Sequence, residues 1–173
     1  MFMTIQPIRA ERLRQIRAER RDDNGERPAY RVHDEGGVAL RCCLRESRQG
    51  ERIALIGYRP FRLGGPYAEV GPIFVHAAEC AGYSAVNRYP EEFRGRPQVF
   101  RAYRADGTIA GGSLVEPGYG QEQAVAELLV DPDVAFLHSR NVVFGCFMFE
   151  ITRPGPVDPG HAPRSATDAR GRR

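Results

Sequence analysis

The stretch Val99–Val115, VFRAYRADGTIAGGSLV, decides the fold class, because it carries the clearest strand-pairing signal of the chain. Two β-favouring runs, Val99–Arg104 and Thr108–Val115, flank Asp106-Gly107. That dipeptide favours a type I′ turn, whose twist matches the twist of paired antiparallel strands. We therefore predict a β-hairpin over these residues.

Shorter runs of β-branched and aromatic residues on both sides of this hairpin predict the remaining strands. They are Ala29–Val32, Val38–Leu44, Arg52–Tyr58, Gly71–His76, Val134–His138 and Phe147–Thr152. Because Ser47–Gly50 suits a turn, we expect the second and third of these strands to form another hairpin.

Two longer segments have the pattern of helices. Arg9–Arg21 places Leu13 and Ile16 on one narrow apolar face, and Gln121–Val130 ends at Asp131-Pro132. Two helices are too few for the alternating βαβ units that a parallel sheet requires. We therefore predict a single α+β domain with a largely antiparallel β-sheet and two main helices.

The length and composition of the chain favour one compact unit. Its 173 residues are 42% apolar and 27% charged, which is ordinary for a globular protein with a buried core. We divide it into residues 1–27 (an N-terminal strand and helix), residues 28–153 (the α+β domain) and residues 154–173. The last segment is rich in Pro, Gly and Arg and is expected to be a disordered tail.

The basic residues exclude some classes of function. All 25 residues of the combined Lys and Arg count are arginine, so Walker-type phosphate loops and Schiff-base lysine chemistry are excluded. The tail carries four arginines against two acids and thus supplies +2 of the net charge of +3. Because the rest of the chain is nearly neutral, nucleic acid is not an expected partner.

No targeting or membrane signal is visible in the sequence. No stretch approaches the ~18 consecutive apolar residues of a membrane span. Met1–Arg21 also lacks the apolar segment of a signal peptide. We therefore expect a soluble, cytoplasmic protein with no membrane partner, in which the four cysteines are reduced.

Cysteines and histidines are the first candidates for chemistry. Cys42 and Cys43 are adjacent on a predicted strand, so their side chains should point to opposite faces unless a bulge intervenes. His76 and Cys80 are four residues apart, which suits a metal if the segment between them turns helically. Because there is no C-x-x-C motif, we assign no metal ligands and expect most cysteines to pack as small apolar residues.

Polar residues of the penultimate strand form a second group. Alternation places His138 and Arg140 on one face, with Asn141 at the strand end. Together they could bind a carboxylate or phosphate and move a proton, although a surface strand end with a satisfied histidine would have the same sequence. Arg101 shares a face with Tyr103 and is either an anion clamp or the cross-strand partner of an acid.

Several motifs have a pattern in common with a known family. They are Arg41-Cys42-Cys43-Leu44-Arg45, Gly50-Glu51, Pro66–His76, Arg101-Ala102-Tyr103, Asp131-Pro132, His138-Ser139-Arg140-Asn141 and Gly145-Cys146. From about Pro28 to Arg153 the chain resembles a bacterial family catalogued as domain of unknown function 1203. A histidine often stands in that family at the position of Cys42. The resemblance implies a small stand-alone bacterial domain and supplies no activity. It gives most weight to Cys43, His76, His138, Arg140, Asn141 and Cys146.

The function expected from these residues is a small-molecule-binding or enzyme-like domain with a His/Arg/Asn pocket. The residues expected to carry it are His76, His138 and Cys43 for catalysis and Arg101, Arg140 and Asn141 for binding a small anionic ligand. In this hypothesis Cys43 is a thiolate nucleophile or a metal ligand. Which cofactor, if any, the protein uses is unknown from the sequence. The alternatives are a non-catalytic interaction or structural protein and a Cys/His metal-binding domain.

Overall fold

A computed structural model describes residues 3–61, 64–118 and 120–155, so the predicted tail lies almost entirely outside the described residues. Ten strands and two α-helices are present in the described ranges. In chain order they are β1 (Thr4–Gln6), α1 (Ala10–Glu19), β2 (Ala29–His33), β3 (Ala39–Leu40), β4 (Arg45–Glu46), β5 (Glu51–Tyr58), β6 (Gly71–His76), β7 (Gln98–Tyr103), β8 (Ile109–Val115), α2 (Gln121–Val130), β9 (Phe136–Asn141) and β10 (Phe147–Thr152). A short 3-10 helix, Glu91–Phe93, precedes β7.

The strands form two five-stranded sheets. Sheet A has the order β1-β10-β9-β7-β8, and all its pairs are antiparallel. Sheet B has the order β2-β5-β6-β3-β4, and β3 runs parallel to β6 while the other pairs are antiparallel. The α+β class, the mostly antiparallel pairing and the two main helices are confirmed. The strands are divided between two sheets instead of forming one.

The Val99–Val115 hairpin is present as β7 and β8, but its turn is not of type I′. Only Gly107, with φ +85°, has a positive φ in this loop, whereas type I′ requires it at both central residues. The Gly107 amide donates to the Arg104 carbonyl at 2.9 Å, and the Asp106 carboxylate accepts the Thr108 amide at 2.9 Å. The aspartate side chain thus stabilises a wider loop with one glycine at its end.

The run Val38–Leu44 does not form one strand, contrary to the sequence prediction. Only β3 is extended, and the chain then turns: the Leu44 amide donates to the Leu40 carbonyl at 2.9 Å, and Leu44 has φ +53°. The predicted hairpin with Arg52–Tyr58 is also wrong, because β5 pairs with β2 and β6. The apolar side chains of the run are buried although it is not a strand: Leu40, Cys42 and Leu44 all lie in the protein interior.

Each sheet packs against one helix. The predicted apolar face of α1 is confirmed, because Leu13 and Ile16 are buried with residues of sheet B such as Ile53. Helix α2 packs Val125 into a second cluster with sheet A residues such as Phe149. No helix among the described residues has the length and apolar character to cross a membrane.

The two sheets meet at Arg41 and Phe147. The Arg41 side chain is buried and donates to the Phe147 carbonyl of sheet A at 2.8 Å and to the Ala39 carbonyl of sheet B at 2.5 Å. The Phe147 ring lies 5.6 Å from the ring of Tyr58 on β5. A buried guanidinium that donates to backbone carbonyls of both sheets ties them together.

A substitution at Phe149 tests whether this residue belongs to the hydrophobic core. It is fully buried, with ring centroids 5.6 Å from Tyr89 and 6.4 Å from Phe93. We expect Phe149→Ala to lower the free energy of unfolding by about 3–5 kcal/mol, because it leaves a cavity. Phe144→Ala, at a side chain 80% exposed, should change it by less than about 0.5 kcal/mol. Urea denaturation followed by circular dichroism measures both, and equal effects would contradict this description of the core.

Candidate metal centre

Cys42 and Cys43 lie on the same side of the chain, contrary to the expectation of opposite faces. Their Sγ atoms are 4.0 Å apart. The expectation assumed an extended strand, in which side chains alternate. The two residues instead lie in the turn closed by Leu40 and Leu44, where successive side chains do not alternate.

His76 and Cys80 bring two more ligand atoms to these thiols. His76 is the last residue of β6, and its Nδ1 lies 3.4 Å from Cys42 Sγ and 3.7 Å from Cys43 Sγ. The segment from Ala77 to Cys80 is not helical, yet one ligand atom from each of the four residues lies within 4.8 Å of all the others. We call Cys42, Cys43, His76 and Cys80 the thiol–imidazole cluster.

The spacing of the cluster matches a tetrahedral metal site. With metal–sulfur bonds of about 2.3 Å and metal–nitrogen bonds of about 2.0–2.1 Å, tetrahedral angles separate two sulfurs by about 3.8 Å. The same geometry separates sulfur from nitrogen by about 3.5–3.6 Å. The observed separations of 4.0, 3.4 and 3.7 Å lie close to these values. The cluster can therefore surround one small cation without a large rearrangement.

The cluster lies at the edge of the protein. Cys42 is buried, Cys43 is half-buried and Cys80 is exposed. An ion would reach the site from the Cys80 side.

The charges within the cluster favour one thiolate beside an imidazolium. Hydrogen bonds from the thiols of Cys42 and Cys43 hold the pKa of Cys80 far below its ordinary value, while burial opposes this. The pKa of Cys42 is raised, because its thiol donates within the cluster and is buried. Contacts with the sulfurs of Cys43 and Cys80 raise the pKa of His76 to about 10.

The outer nitrogen of His76 faces both a donor and an acceptor. Its Nε2 lies 2.9 Å from an Arg45 guanidinium nitrogen and 3.6 Å from Glu51 Oε1. Arg45 and Glu51 form a two-bond ion pair at 2.5 and 3.0 Å, and Arg45 lowers the pKa of Glu51 to about 2. Because a guanidinium only donates, the 2.9 Å contact makes Nε2 of a neutral His76 ring the acceptor of Arg45. If Nδ1 binds a metal, Nε2 carries the proton and Glu51 becomes its acceptor in place of Arg45 as its donor.

The other predicted site residues lie on sheet A and not beside the cluster. Arg101, His138, Arg140 and Asn141 belong to β7 and β9, with Arg101 directly opposite His138. No hydrogen bond, ion pair or ring contact between described residues joins these four side chains to the cluster.

The contacts of these sheet A residues are internal ones. His138 has no exposed surface, and its ring lies 5.0–5.2 Å from four aromatic rings, those of Phe61, Tyr103, Phe136 and Phe147. Arg140 is buried, pairs with Glu69 and donates to the Gly145 carbonyl at 2.8 Å. The Asn141 side chain accepts the Phe144 amide at 2.9 Å in the β9–β10 loop. Arg101 has no ion pair or side-chain hydrogen bond among the described residues.

Two members of the cluster, Cys42 and Cys80, are candidates in the sequence but are not assigned to the predicted site. The sequence has no C-x-x-C motif, and an extended strand would separate Cys42 from Cys43. Arg45 and Glu51 lie in the motifs that carry the family resemblance, but nothing in the sequence indicates a role for either. The sequence feature that indicates the site is the combination of the adjacent Cys42-Cys43 with the four-residue spacing of His76 and Cys80.

The fold and the cluster define a two-sheet α+β domain with a candidate metal centre. The chain belongs to the family described as Protein of unknown function (DUF1203), whose family model matches residues 37–153. This confirms the resemblance seen in the sequence, and all four cluster residues lie within the matched range. No curated protein and no solved structure matches the chain.

The buried His138 generates a prediction about acid stability. Burial lowers its pKa below the ordinary value of 6.5, although Glu150, with Oε2 3.6 Å from Nε2, opposes this. Between the lowered folded pKa and 6.5 the unfolded state binds more protons, so stability falls as the pH drops through that window. We expect His138→Phe to remove this contribution, which is at most about 1.4 kcal/mol per pH unit.

Urea unfolding of wild type and His138→Phe at neutral pH and at about pH 5.5 measures the difference. The variant should lose less stability on acidification than the wild type. An unchanged pH dependence would show that His138 is not held neutral in the folded state.

Proposed function

We propose that this protein is a metal-binding domain that holds one zinc ion through the thiol–imidazole cluster. The observation that supports the proposal most directly is the convergence of four ligand atoms within 4.8 Å, from two separate segments of the chain. A cluster of reduced cysteines that served only for packing would not require a histidine nitrogen among the sulfurs.

The ligand types favour zinc over the hard cations. Three thiolates and one imidazole match the Cys₃His set of structural zinc sites, whereas Mg²⁺ and Ca²⁺ prefer oxygen ligands. Four protein ligands leave no open position for a substrate, so the ion holds the structure in place and is not a catalyst.

A bound ion would fasten together parts of the chain that are otherwise weakly connected. The Arg41–Leu44 turn follows a strand of only two residues, and Cys80 lies in a stretch without regular structure. Binding requires loss of the protons on the thiols and on Nδ1 of His76, so metal affinity should increase with pH.

Glu51 and Arg45 act as positioning residues in this proposal. Glu51 Oε1 lies 3.6 Å from Nε2 and would accept its proton once Nδ1 binds the metal, while Arg45 holds the carboxylate in place. Outer partners of this kind typically change metal affinity by about 10–100-fold.

The pocket predicted from the sequence, with His76, His138, Arg140 and Asn141 around a small anionic ligand, stays a prediction. It is less well supported, because Arg140 and Asn141 already have partners within the protein. The cytoplasmic location and bacterial origin also stay predictions. A reducing compartment would keep the thiols available for a metal.

A second candidate function uses the same thiols without a metal. Cys80 is exposed and lies within 4.8 Å of Cys42 and Cys43, so an oxidant could join it to either one in a disulfide. A low thiol pKa favours such reactivity. In this hypothesis Cys80 is the nucleophile, rather than Cys43 as the sequence suggested.

Zinc stoichiometry tests the primary proposal. We expect the untagged protein, purified under reducing conditions, to contain about one zinc per chain by elemental analysis, as four closed ligands imply. Substituting cobalt should produce thiolate-to-metal charge-transfer absorption and the visible bands of a tetrahedral site. Cys80→Ser and Cys42→Ser should abolish both, because each removes a ligand.

Cys146→Ser is the matched control, since Cys146 is the remaining cysteine and lies outside the cluster. It should bind zinc like the wild type. If the wild type contains no zinc, takes up no cobalt and forms a Cys80 disulfide with mild peroxide, the thiol-redox candidate replaces the metal proposal.

Glu51→Gln tests the positioning role. We expect it to weaken zinc binding by about 10–100-fold while the stoichiometry stays the same, because the acceptor of His76 becomes weaker. Competition with a chromogenic chelator measures the affinity, and Glu46→Gln, at a nearby acid that pairs with Arg96, is the control. Equal affinities of wild type and Glu51→Gln would contradict a role for Glu51.

A further inference from the structure

A groove of about 640 Å³ lies beside the chain segment that joins His76 to Cys80. Its walls are formed by α1, by Arg20 directly after that helix, by the strands β2 and β5, and by residues 76–79. The lining residues are Arg17, Arg20, Tyr30, Arg52, His76, Ala77, Ala78 and Glu79. Its volume lies within the range of small-molecule sites, about 300–1,000 Å³.

The groove concentrates positive charge, and two of its three arginines have no partner among the described residues. Arg20 and Arg52 form no ion pair or side-chain hydrogen bond among the described residues. Some arginines elsewhere are paired with acids, for example Arg12 with Asp23. With His76 counted as neutral, as it is when Nδ1 binds a metal, three arginines against one acid, Glu79, leave the groove with a formal charge of +2.

Arg17 forms the floor of the groove and orders its wall. One guanidinium nitrogen donates to the His76 carbonyl at 2.8 Å and to the Ala78 carbonyl at 2.6 Å. Its Nε has no hydrogen-bond partner among the described residues and almost no accessible surface, so a ligand in the groove could contact it only after a shift of the Arg17 side chain.

We propose that this groove binds a small organic molecule carrying a phosphomonoester. A phosphomonoester is close to a dianion at neutral pH and offers several strong acceptors to guanidinium groups. A dianion also balances the charge of +2. The volume exceeds the requirement of phosphate alone, and the Tyr30 ring, 41% exposed, supplies an apolar surface for the organic part.

The groove and the thiol–imidazole cluster share one segment of backbone. Residues 76–79 line the groove. In the proposed function, His76 at the start of this segment and Cys80 directly after it hold the metal. A metal that fixes this segment should therefore strengthen anion binding, and by reciprocity the anion should strengthen metal binding. This coupling rests on the proposed function, whereas the groove itself does not.

Isothermal titration of the full-length protein tests the site. The probes are adenosine monophosphate, adenosine, inorganic phosphate and citrate, each titrated into zinc-loaded and zinc-free protein at low salt. We expect saturable binding of adenosine monophosphate, weaker binding of phosphate and none of adenosine. Zinc loading should tighten the binding of adenosine monophosphate by about fivefold or more.

Charge-neutralising variants locate the binding. Arg52→Gln and Arg20→Gln should each weaken the binding of adenosine monophosphate by about tenfold, since each removes a charge-assisted contact of roughly 1.4 kcal/mol. Arg14→Gln is the matched control, because Arg14 is an exposed arginine of α1 outside the groove. It should bind like the wild type.

Each contrary result has a defined meaning. An equal loss in Arg14→Gln, or the absence of saturable binding by any probe, overturns the site. Tighter binding of citrate than of adenosine monophosphate contradicts the proposal that the ligand carries a phosphomonoester. Equal affinities with and without zinc overturn the coupling alone. If the chain binds no zinc, the zinc-free titration still decides whether the groove binds an anion.

Discussion

The tight turn after β3 is the constraint on which the candidate site depends. Its defining contact is the hydrogen bond from the Leu44 amide to the Leu40 carbonyl, with Leu44 in the left-handed region. A left-handed leucine is strained, by roughly 1–3 kcal/mol, and persists only because the surroundings hold it. Here burial of the Leu44 side chain, which is 2% exposed, supplies that stabilisation. The turn places two successive thiols on one side of the chain.

The surroundings of the turn explain why it lies beside β6 in particular. The Arg41 amide donates to the Phe74 carbonyl at 2.9 Å, and the Arg41 carbonyl accepts the Ile8 amide at 3.0 Å. Burial of the Arg41 side chain lowers its pKa to about 10, still well above neutral. The cation therefore remains charged and its hydrogen bonds to both sheets persist. These contacts bring Cys42 and Cys43 to His76 at the end of β6.

The two groups of polar residues have different physical environments. The thiol–imidazole cluster opens to solvent at Cys80 and contains groups whose charges depend on each other. His138 and Arg140 are sealed within the protein, one among aromatic rings and the other against Glu69. Residues of the same chemical type therefore differ in their capacity to bind a ligand, because a side chain that is buried or already has a partner cannot contact another group.

Features encoded by local residue patterns could be predicted, and features that depend on distant pairing could not. Helix α2 was predicted with the boundaries that the structure has, since its apolar periodicity and the Asp131-Pro132 stop are local. The strands of the Val99–Val115 hairpin were also predicted. Its turn type was not, because the Asp106 carboxylate bonds to the Thr108 amide and stabilises another loop. The division into two sheets follows from pairings between strands that are far apart in sequence, such as β1 with β10 in sheet A and β3 with β6 in sheet B.

The sequence by itself determined the α+β class, the family and the presence of His76 and Cys80 at a suggestive spacing. It also determined which lysine-dependent chemistries are excluded. Only the tertiary structure decided that Cys42 and Cys43 share a site with them. The physical reason is that Val38–Leu44 has the composition of a strand, and its local preference is for alternation. Burial of Leu40 and Leu44 and the contacts of Arg41 outweigh that preference and bend the chain. Those contacts bring together residues that are far apart in the sequence, and no local pattern records them.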